Sequence, residues 1–519
     1  LAHSGQQDSG VESAHSFRPE RRPAGILIQI DDKPEADDTM RRASVIGSGP
    51  NGLAAAIVLA RAGLRVDVYE AEAELGGATR TLPLTLPGFL HDFGSAVHPL
   101  AAGSPFFSTL PLAEHGLEWI HGDAPLAHPL DDGSAVVLER DLAEAERALG
   151  EDGKAWRRLM QPAADDWQEF AQDSLAPLLR FPRHPLRMAK FGLSALESAQ
   201  GFATRHFSNA RTRAVFAGLA GHSCLSFDEP LSATIGWMFG ITIHAVGWPI
   251  PRGGARSIAQ ALTSYLQSHG GTMHTSRRID AAAFKELEAD SELVFFDTAP
   301  RQLLAIAGDR IGNGYRRAFE RFQYGPGAFK IDYALSEAVP WRAQECRRAI
   351  TVHLGGTFEE IAASEFAVAH GRCAERPFVL AAQPTLFDRT RAPEGKHVLW
   401  VYCHVPKGAK FDTPERAQME NRIDAQIERF APGFRDCILA RHVSTPATLE
   451  TMDANLLGGD IGGGALSLRQ MIFRPTLRGY AMGARNLYLC SASTPPGGGV
   501  HGMCGYHAAQ LALRQMKRG

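Results

Sequence analysis

The stretch RRASVIGSGPNGLAAAIVLARAGLRVDVYEAEAELGGATRT, residues 41–81, decides the fold. Ala43–Ile46 read as a short buried strand. Gly47, Gly49 and Gly52 follow in the spacing G-x-G-x-x-G, Leu53–Ala62 are apolar and strongly helix-forming, and Gly63 is placed to end that helix. Val66–Glu70 alternate as a second strand. This is a complete βαβ start. Gly47 permits the tight turn, Gly49 lets a pyrophosphate approach the backbone, and Gly52 lets the helix pack close to the strand. The helix N-terminus presents free N–H groups and a partial positive charge to phosphate. Glu70 ends the second strand, where a carboxylate accepts hydrogen bonds from ribose hydroxyls. The glycine spacing alone is weak evidence. Set between strand and helix, with the acid at the right distance, it points to a bound dinucleotide.

Composition narrows the rest. The chain has 519 residues, enough for two domains, with 44% hydrophobic and 21% charged residues, as in an ordinary globular protein. A formal net charge of −3 offers no field for nucleic acid. Seven cysteines are scattered singly with no C-x-x-C, so neither a zinc knuckle nor a redox dithiol is expected, no metal is assigned, and a reducing cytoplasm is the expected compartment. Residues 1–40 are polar, lack the apolar core of a signal peptide, and read as an extension outside the fold. LSATIGWMFGITIHAVGWPI, residues 231–250, is free of charge and long enough to span a bilayer, yet its glycines, threonines and His244 favour a buried helix beside a cavity. LAPLLRFPRHPLRMAKFGL, residues 175–193, mixes basic and bulky apolar residues. It reads as a solvated loop with core anchors, and secondarily as a peripheral membrane contact.

Beyond Glu70 the pattern becomes specific. The next glycine pair, Gly76 and Gly77, completes an E-x5-G-G that resembles the extended fingerprint of the FAD-dependent amine oxidase and phytoene desaturase superfamily. The resemblance implies FAD as cofactor, with the second glycine pair passing along its pyrophosphate. The family's arginine directly follows that pair; here Ala78 does, and Arg80 is the substitute. HDFGSAVHP, residues 91–99, is similar to the segment that approaches the flavin. In the middle of the chain, a helix near Ser257–His269 and a strand near Thr272–Ile279 resemble the second FAD segment, with a backbone group near Ile279 facing adenine. SELVFFDTAP, residues 291–300, matches the return strand.

At the C-terminus, Leu487–Cys490 read as a strand, Ser491–Gly499 as a flexible loop, and Val500 onward as a helix. The run resembles the family's closing FAD signature. By that resemblance Ser491 and Ala492 meet the ribityl chain, while Gly499, Val500, His501 and Gly502 bring a helix N-terminus to the pyrimidine edge of the flavin ring. There a partial positive charge stabilises the reduced form. His501 is a candidate for tuning or protonation; His507 lies too far into the helix for direct chemistry. Cys490 and Cys504 are read as free and buried rather than as a flavin tether. ANLLGGDIGGGALSLRQ, residues 454–470, lacks the strand and lysine of a phosphate loop and reads as close backbone packing beside the flavin.

One further candidate comes from YGPGAFKIDYALSEAVPW, residues 324–341. Phe329, Ile331, Tyr333 and Leu335 alternate with Ala328, Lys330, Asp332 and Ala334. The residues alone read as a half-exposed strand with Lys330 in water. The family's amine oxidases carry a lysine about ten residues before a tryptophan, which implies Lys330 as a catalytic candidate, with Trp341 at the matching spacing.

The expected fold class is α/β: a Rossmann-type FAD-binding domain with a parallel sheet, interleaved with an α+β substrate domain on a mixed or antiparallel sheet. The FAD segments are 41–110, 250–310 and 455–519; residues 111–249 and 311–454 form the substrate domain. Phe329–Leu335 and HVLWVYCHVP, residues 397–406, are its expected strands. TPERAQMENRIDAQIERFAP, residues 413–432, is a helix capped by Thr413 with a Met419, Ile423, Ile427, Phe430 stripe. The expected function is desaturation of a hydrophobic substrate by hydride transfer to flavin N5, with reoxidation by oxygen, a quinone or another acceptor, since no second G-x-G-x-x-G marks a nicotinamide domain. Two others stay open: a flavin amine oxidase using oxygen, for which Tyr480 and Tyr506 are available as ring-face aromatics, and a non-catalytic flavoprotein acting as an interaction factor.

Overall fold

A computed structural model describes residues 41–518, Leu179 excepted; the polar extension expected over 1–40 lies outside the described residues. The βαβ start folds as Arg42–Ile46, a helix over Pro50–Arg61 and Arg65–Tyr69. These join a five-stranded parallel sheet in the order Leu487–Leu489, Leu293–Phe296, Arg42–Ile46, Arg65–Tyr69, Thr272–His274. Val45 is flanked by Phe295 on one side and Val68 on the other, and all three are buried. Strands that read as unbroken apolar runs are those a parallel sheet covers on both faces.

The first helix is buried from Asn51 to Ala60, and it packs against the helices Arg256–Ser268 and Met503–Met516. It starts earlier than the expected Leu53, because Pro50 is preorganised for a first helical turn after Gly49. Gly63, at φ +84°, ends it as expected. The last helix starts at Met503 rather than Val500, since Gly499 and Gly502 hold φ of +119° and +68°, which no helical residue adopts. Where the first and last helices cross, a Cβ on Gly505 would lie 1.8 Å from the Asn51 carbonyl oxygen.

A seven-stranded sheet runs in the order Ile438–Ser444, Gly327–Leu335, His397–Val405, Val379–Ala382, Ala349–Leu354, Ala124–Pro129, Ala135–Leu138. It is antiparallel except where Ala349–Leu354 meets Ala124–Pro129. Phe329, Ile331 and Tyr333 pack on one face with Val401, Cys403 and the Met419, Ile423, Ile427, Phe430 stripe of the helix Thr413–Phe430. The cap of that helix is Asp412, not Thr413: its carboxylate accepts the Glu415 N–H and adds a negative charge at the helix's positive end. The opposite face carries Lys330, Asp332, Trp400, Tyr402 and His404, and these are buried too. The half-exposed strand expected at 328–335 is therefore corrected. Alternation separated the two faces rightly, but the second face roofs a cavity and does not meet water.

The charge-free run 231–250 forms a helix over Ser232–Val246. Gly236 packs on the helix Ala210–Gly221, where a Cβ would stand 2.9 Å from the Ala220 Cα. No helix among the described residues is long and apolar enough to cross a membrane.

The helix crossing yields a stability prediction. Gly505→Ala should lower stability by about 1–3 kcal/mol, because the clash is with backbone that cannot rotate away. Gly314→Ala, in a helix with open space around it, should be neutral or slightly stabilising. Urea unfolding followed by circular dichroism separates the two; equal midpoints would remove the crossing as a constraint.

Candidate active site

A cavity of about 1310 Å³ begins at the Gly47–Asn51 loop, passes beneath the polar face of the seven-stranded sheet, and reaches the helix Pro185–Ala195. Its first end is built from backbone. Gly47 sits at φ +101°, and a Cβ on Gly52 would fall 2.3 Å from the Gly47 carbonyl oxygen. A Cβ on Gly77 would meet the Gly49 Cα at 3.4 Å, so the second glycine pair lies against the first loop. Glu70 accepts hydrogen bonds from the Ser48 N–H (3.1 Å), the Ser48 hydroxyl (2.5 Å) and the Glu72 N–H (3.0 Å), while facing the cavity beside Ile279. Ser48 also accepts the Gly76 N–H at 3.0 Å, tying both glycine motifs to one hydroxyl. Arg80 reaches the cavity wall but uses Nε on the Gly77 carbonyl (2.8 Å) and Nη2 on the Met452 carbonyl (2.7 Å). It braces the second glycine pair.

The C-terminal segment returns to the same cavity. Ser491, Ala492, Gly499, Val500 and His501 line it; Gly52, Gly76 and Gly502 stand just behind its wall. Gly502 packs on Phe107, whose ring a Cβ would meet at 2.4 Å. The 454–470 loop packs backbone to backbone as expected. A Cβ on Gly463 would lie 2.6 Å from the Ala492 Cβ, and buried Arg474 donates to the carbonyls of Gly462, Gly463 and Ala492 at 3.0–3.1 Å. Sequence reasoning passed over Arg474, which stitches the two loops together.

His501 is fully buried. Its Nδ1 accepts the Met503 N–H (3.0 Å), and its carbonyl accepts the Ser104 hydroxyl (2.6 Å). Burial pushes its pKa down to about 4. The imidazole is thus neutral with its proton on Nε2, which lies near the Gly497 and Gly498 backbone but makes no well-formed hydrogen bond among the described residues. An orphaned donor in the cavity wall is available to an acceptor lying in the cavity. His507 lies off the wall with Nε2 against the Leu175 carbonyl (3.1 Å). Cys490 and Cys504 are free, buried and off the wall. Tyr480 and Tyr506 are off it as well: the Tyr480 hydroxyl donates to the Pro495 carbonyl and Tyr506 packs on Phe106. Other aromatics stand at the wall, among them Phe93, Phe191, Phe239, Trp248, Trp400 and Tyr402.

Lys330 also lines the cavity, paired with Asp332. Burial pulls the lysine's pKa down against the pull of Asp332, and burial raises the Asp332 pKa to about 6 despite Lys330. Next to this pair, Arg391 holds Asp92 at 2.8 Å.

Two acids at the glycine loop escaped the sequence reading, Asp297 and Asp453. The available signal was the position of Asp297, directly after the apolar strand Leu293–Phe296, at the carboxyl edge where parallel sheets bind ligands. Its Oδ2 accepts the Gly52 N–H at 2.8 Å. Burial raises its pKa to about 7, opposed by that N–H and assisted by Asp453 and Glu70. No cluster able to hold a metal ion occurs among the described residues.

Asp297 sets a pH dependence. Between its ordinary range near 4 and about 7 the folded state holds the proton more tightly than the unfolded one, so stability falls as pH rises across that window. Asp297→Asn should remove this fall, raising stability at pH 8 by on the order of 4 kcal/mol with little change at pH 4. Thermal midpoints of ligand-stripped protein across pH 4–8 test it; parallel curves for the two proteins would refute it.

The comparisons agree with this geometry. Residues 45–108 match the family model of an NAD(P)-binding Rossmann-like domain. The chain is 25% identical to pyridine nucleotide-disulfide oxidoreductase domain-containing protein 2 of Rattus norvegicus, covering 93% of this chain and 94% of the relative. It is 24% identical to the lycopene-forming phytoene desaturase of Pseudescherichia vulneris, covering 91% and 99%. Among solved structures, an oxidoreductase from Methanosarcina mazei superposes with a TM-score of 0.56 at 17% identity, covering 91% of this chain and all of that one. Putrescine oxidase bound to putrescine gives 0.55 at 14%, covering 92% and 99%. The chain is an oxidoreductase with a Rossmann-type dinucleotide-binding domain, similar along most of its length to the phytoene desaturases and folded like the amine oxidases.

Proposed function

We propose that the cavity binds FAD along the Gly47–Gly77 cradle and oxidises an apolar substrate in the manner of a phytoene desaturase. The observation that carries this reading is the continuity of one cavity, from a backbone cradle for a dinucleotide to a chamber walled by apolar side chains. The residues fit the group: the cradle leaves no room for a Cβ at Gly49, and the His501 Nε2–H is free for an acceptor. FAD, when bound, supplies a two-electron acceptor for hydride removed from a substrate C–H bond. The chain's part is binding, orientation and the exclusion of water. Glu70 meets the ribose, and the backbone of Gly47–Asn51 meets phosphate. His501 and the N-terminus of the last helix set a positive potential at the ring. Reoxidation falls to oxygen or a quinone.

A second reading, amine oxidation, is favoured by the place of Lys330 at the cavity wall. There it would hold a water close to the ring.

The route of entry is part of the proposal. Leu178, Leu196, Ile461, Leu468 and Ile472 are exposed and also line the cavity, and they mark where it reaches the surface. Beside them Phe181 and Leu186 are 81% and 87% exposed, next to Arg180 and Arg183. Apolar side chains flanked by arginine suit the surface of an anionic bilayer. We assign this mouth to peripheral membrane docking, through which an apolar substrate enters without crossing water.

The purified protein should be yellow and release FAD on denaturation; a colourless protein that takes up no FAD on reconstitution would end this reading. Anaerobic bleaching by polyenes or lipids, and not by amines, separates desaturase from amine oxidase. Lys330→Met should slow flavin reoxidation at least tenfold if the amine oxidase reading holds, and leave it unchanged otherwise. Replacing Phe181 and Leu186 with Asp should cut sedimentation with phosphatidylglycerol vesicles at least fivefold while leaving flavin content intact. Equal sedimentation would sink the docking assignment.

A further inference from the structure

A second group of side chains meets the cavity away from the glycine cradle. The turn after the helix Ala210–Gly221 reads His222-Ser223-Cys224. Cys224 holds φ +56°, a left-handed conformation that a side-chain-bearing residue adopts only at a cost. The turn thereby points its sulfur at His404, with Sγ 3.2 Å from Nε2. On the far side of the ring, His404 Nδ1 stands 2.9 Å from Glu365 Oε2, which reaches in from the helix Phe358–Ala369. His404 and Glu365 are 3% and 2% exposed, whereas Cys224 is half-buried and lines the cavity. The other carboxylate oxygen, Glu365 Oε1, has no partner among the described residues.

This is the arrangement of an activated nucleophile: thiol, base within hydrogen-bond reach, and a carboxylate fixing the base's tautomer. Glu365 accepts the hydrogen bond of Nδ1–H, which holds that proton on Nδ1 and leaves Nε2 to receive the proton of the thiol. Burial works against a charged His404, but the neighbouring Cys224 and Glu365 outweigh it and raise its pKa well above the ordinary value, so His404 is a strong acceptor for a proton. A purely structural cluster would leave the strained backbone of Cys224 and the cost of burying an acid and a base unexplained.

We propose that Cys224, His404 and Glu365 form a nucleophilic site in the cavity wall that captures an apolar α,β-unsaturated carbonyl compound. The sulfur forms a bond to the β-carbon, and the alkene π pair moves through the α-carbon towards the carbonyl oxygen. The proton that left Cys224 passes from His404 Nε2 to the α-carbon. The thiol and the alkene become one thioether, with no oxidant or reductant consumed. Sulfur is a soft nucleophile suited to a conjugated carbon, and the apolar walls select the chain attached to it. Cys224 is the nucleophile, His404 the proton carrier and Glu365 a positioning residue. The capture needs no bound dinucleotide, so it stands or falls separately from the redox reading.

The test uses the full-length protein as purified, treated with trans-2-nonenal, reduced with borohydride and mapped by peptide mass. The adduct is expected on Cys224, and Cys224→Ala, which removes only the sulfur, should abolish it. Iodoacetamide should label Cys224 at pH 6 at least tenfold faster than Cys373, which is also half-buried. Glu365, His222, His353 and Tyr402 are the titratable groups packed around the pair. Among the described side chains His404 is the base within hydrogen-bond reach of the Cys224 sulfur, so His404→Gln should slow labelling at least tenfold and move its pH profile upward. Glu365→Gln should shift the profile in the same direction, which loss of packing alone does not do. Labelling of Cys224 no faster than Cys373, an adduct that persists in Cys224→Ala, or unmoved pH profiles in both His404 and Glu365 variants would each overturn the proposal. The first two readings need no substitution at His404 or Glu365 and hold even if those variants fold poorly.

Discussion

Everything in this molecule hangs on backbone touching backbone at the N-terminus of the first helix. Gly52 closes on Gly47, Gly49 on the Asp297 carboxylate, Gly77 on Gly49, and Gly505 on Asn51. Those contacts join residues near 50, 75, 297 and 505, which lie far apart in the chain. At Gly52 and Gly505 the neighbour is backbone, and no side chain can intervene. The contacts hold the sheet strands Arg42–Ile46, Leu293–Phe296 and Leu487–Leu489 in the one register that lets them form. A fold closed by such distant partners carries a high loop-closure cost, which favours slow, late assembly of its binding cleft.

The same constraint explains what could be read from the sequence. A glycine motif between an apolar strand and an apolar helix is a local pattern, and the local structure follows it to within three residues at each end. The last helix was misplaced for a local reason as well: glycines of positive φ are invisible to helix propensity, so Val500 looked helical when Gly502 excludes it. The Lys330 strand failed differently. Alternation tells which side chains share a face, but what covers that face depends on helices recruited from residues 153–246, well upstream of the strand. Arg474 was missed because its partners are backbone carbonyls, which carry no residue pattern, and Asp297 because its partner is a backbone N–H far away in the chain, although its place after an apolar strand was a signal.

The roof of the cavity is electrostatically unlike the helical wall across from it. Lys330 with Asp332, Arg391 with Asp92 and His404 with Glu365 put three buried acid–base pairs on or beside one sheet face. Across the space, the lining from the helices Pro185–Ala195 and Ser232–Val246 includes Met188, Phe191, Met238 and Phe239. Buried ion pairs rarely stabilise a fold beyond what apolar packing would provide, so their concentration on one face argues for a role in the site. An apolar ligand would lie against the helices and turn whatever polarity it has towards the sheet.

The strand register sharpens that argument. Tyr402 stands opposite Lys330, and His404 stands opposite Ala328, so the two polar groups project from the same face one two-residue step apart. That step is about 7 Å along the strand. Lys330 packs near the Trp400 ring and Tyr402 lies between it and His404, so aromatic surface separates the two polar groups. A ligand with a single polar end on an apolar chain can address the cysteine side or the lysine side, but the polar end cannot sit at both. Which of the two it addresses decides which carbon of the chain lies nearest the glycine cradle. The face that a single sequence shows only as alternation thus becomes the element that sets the ligand's position along the cavity.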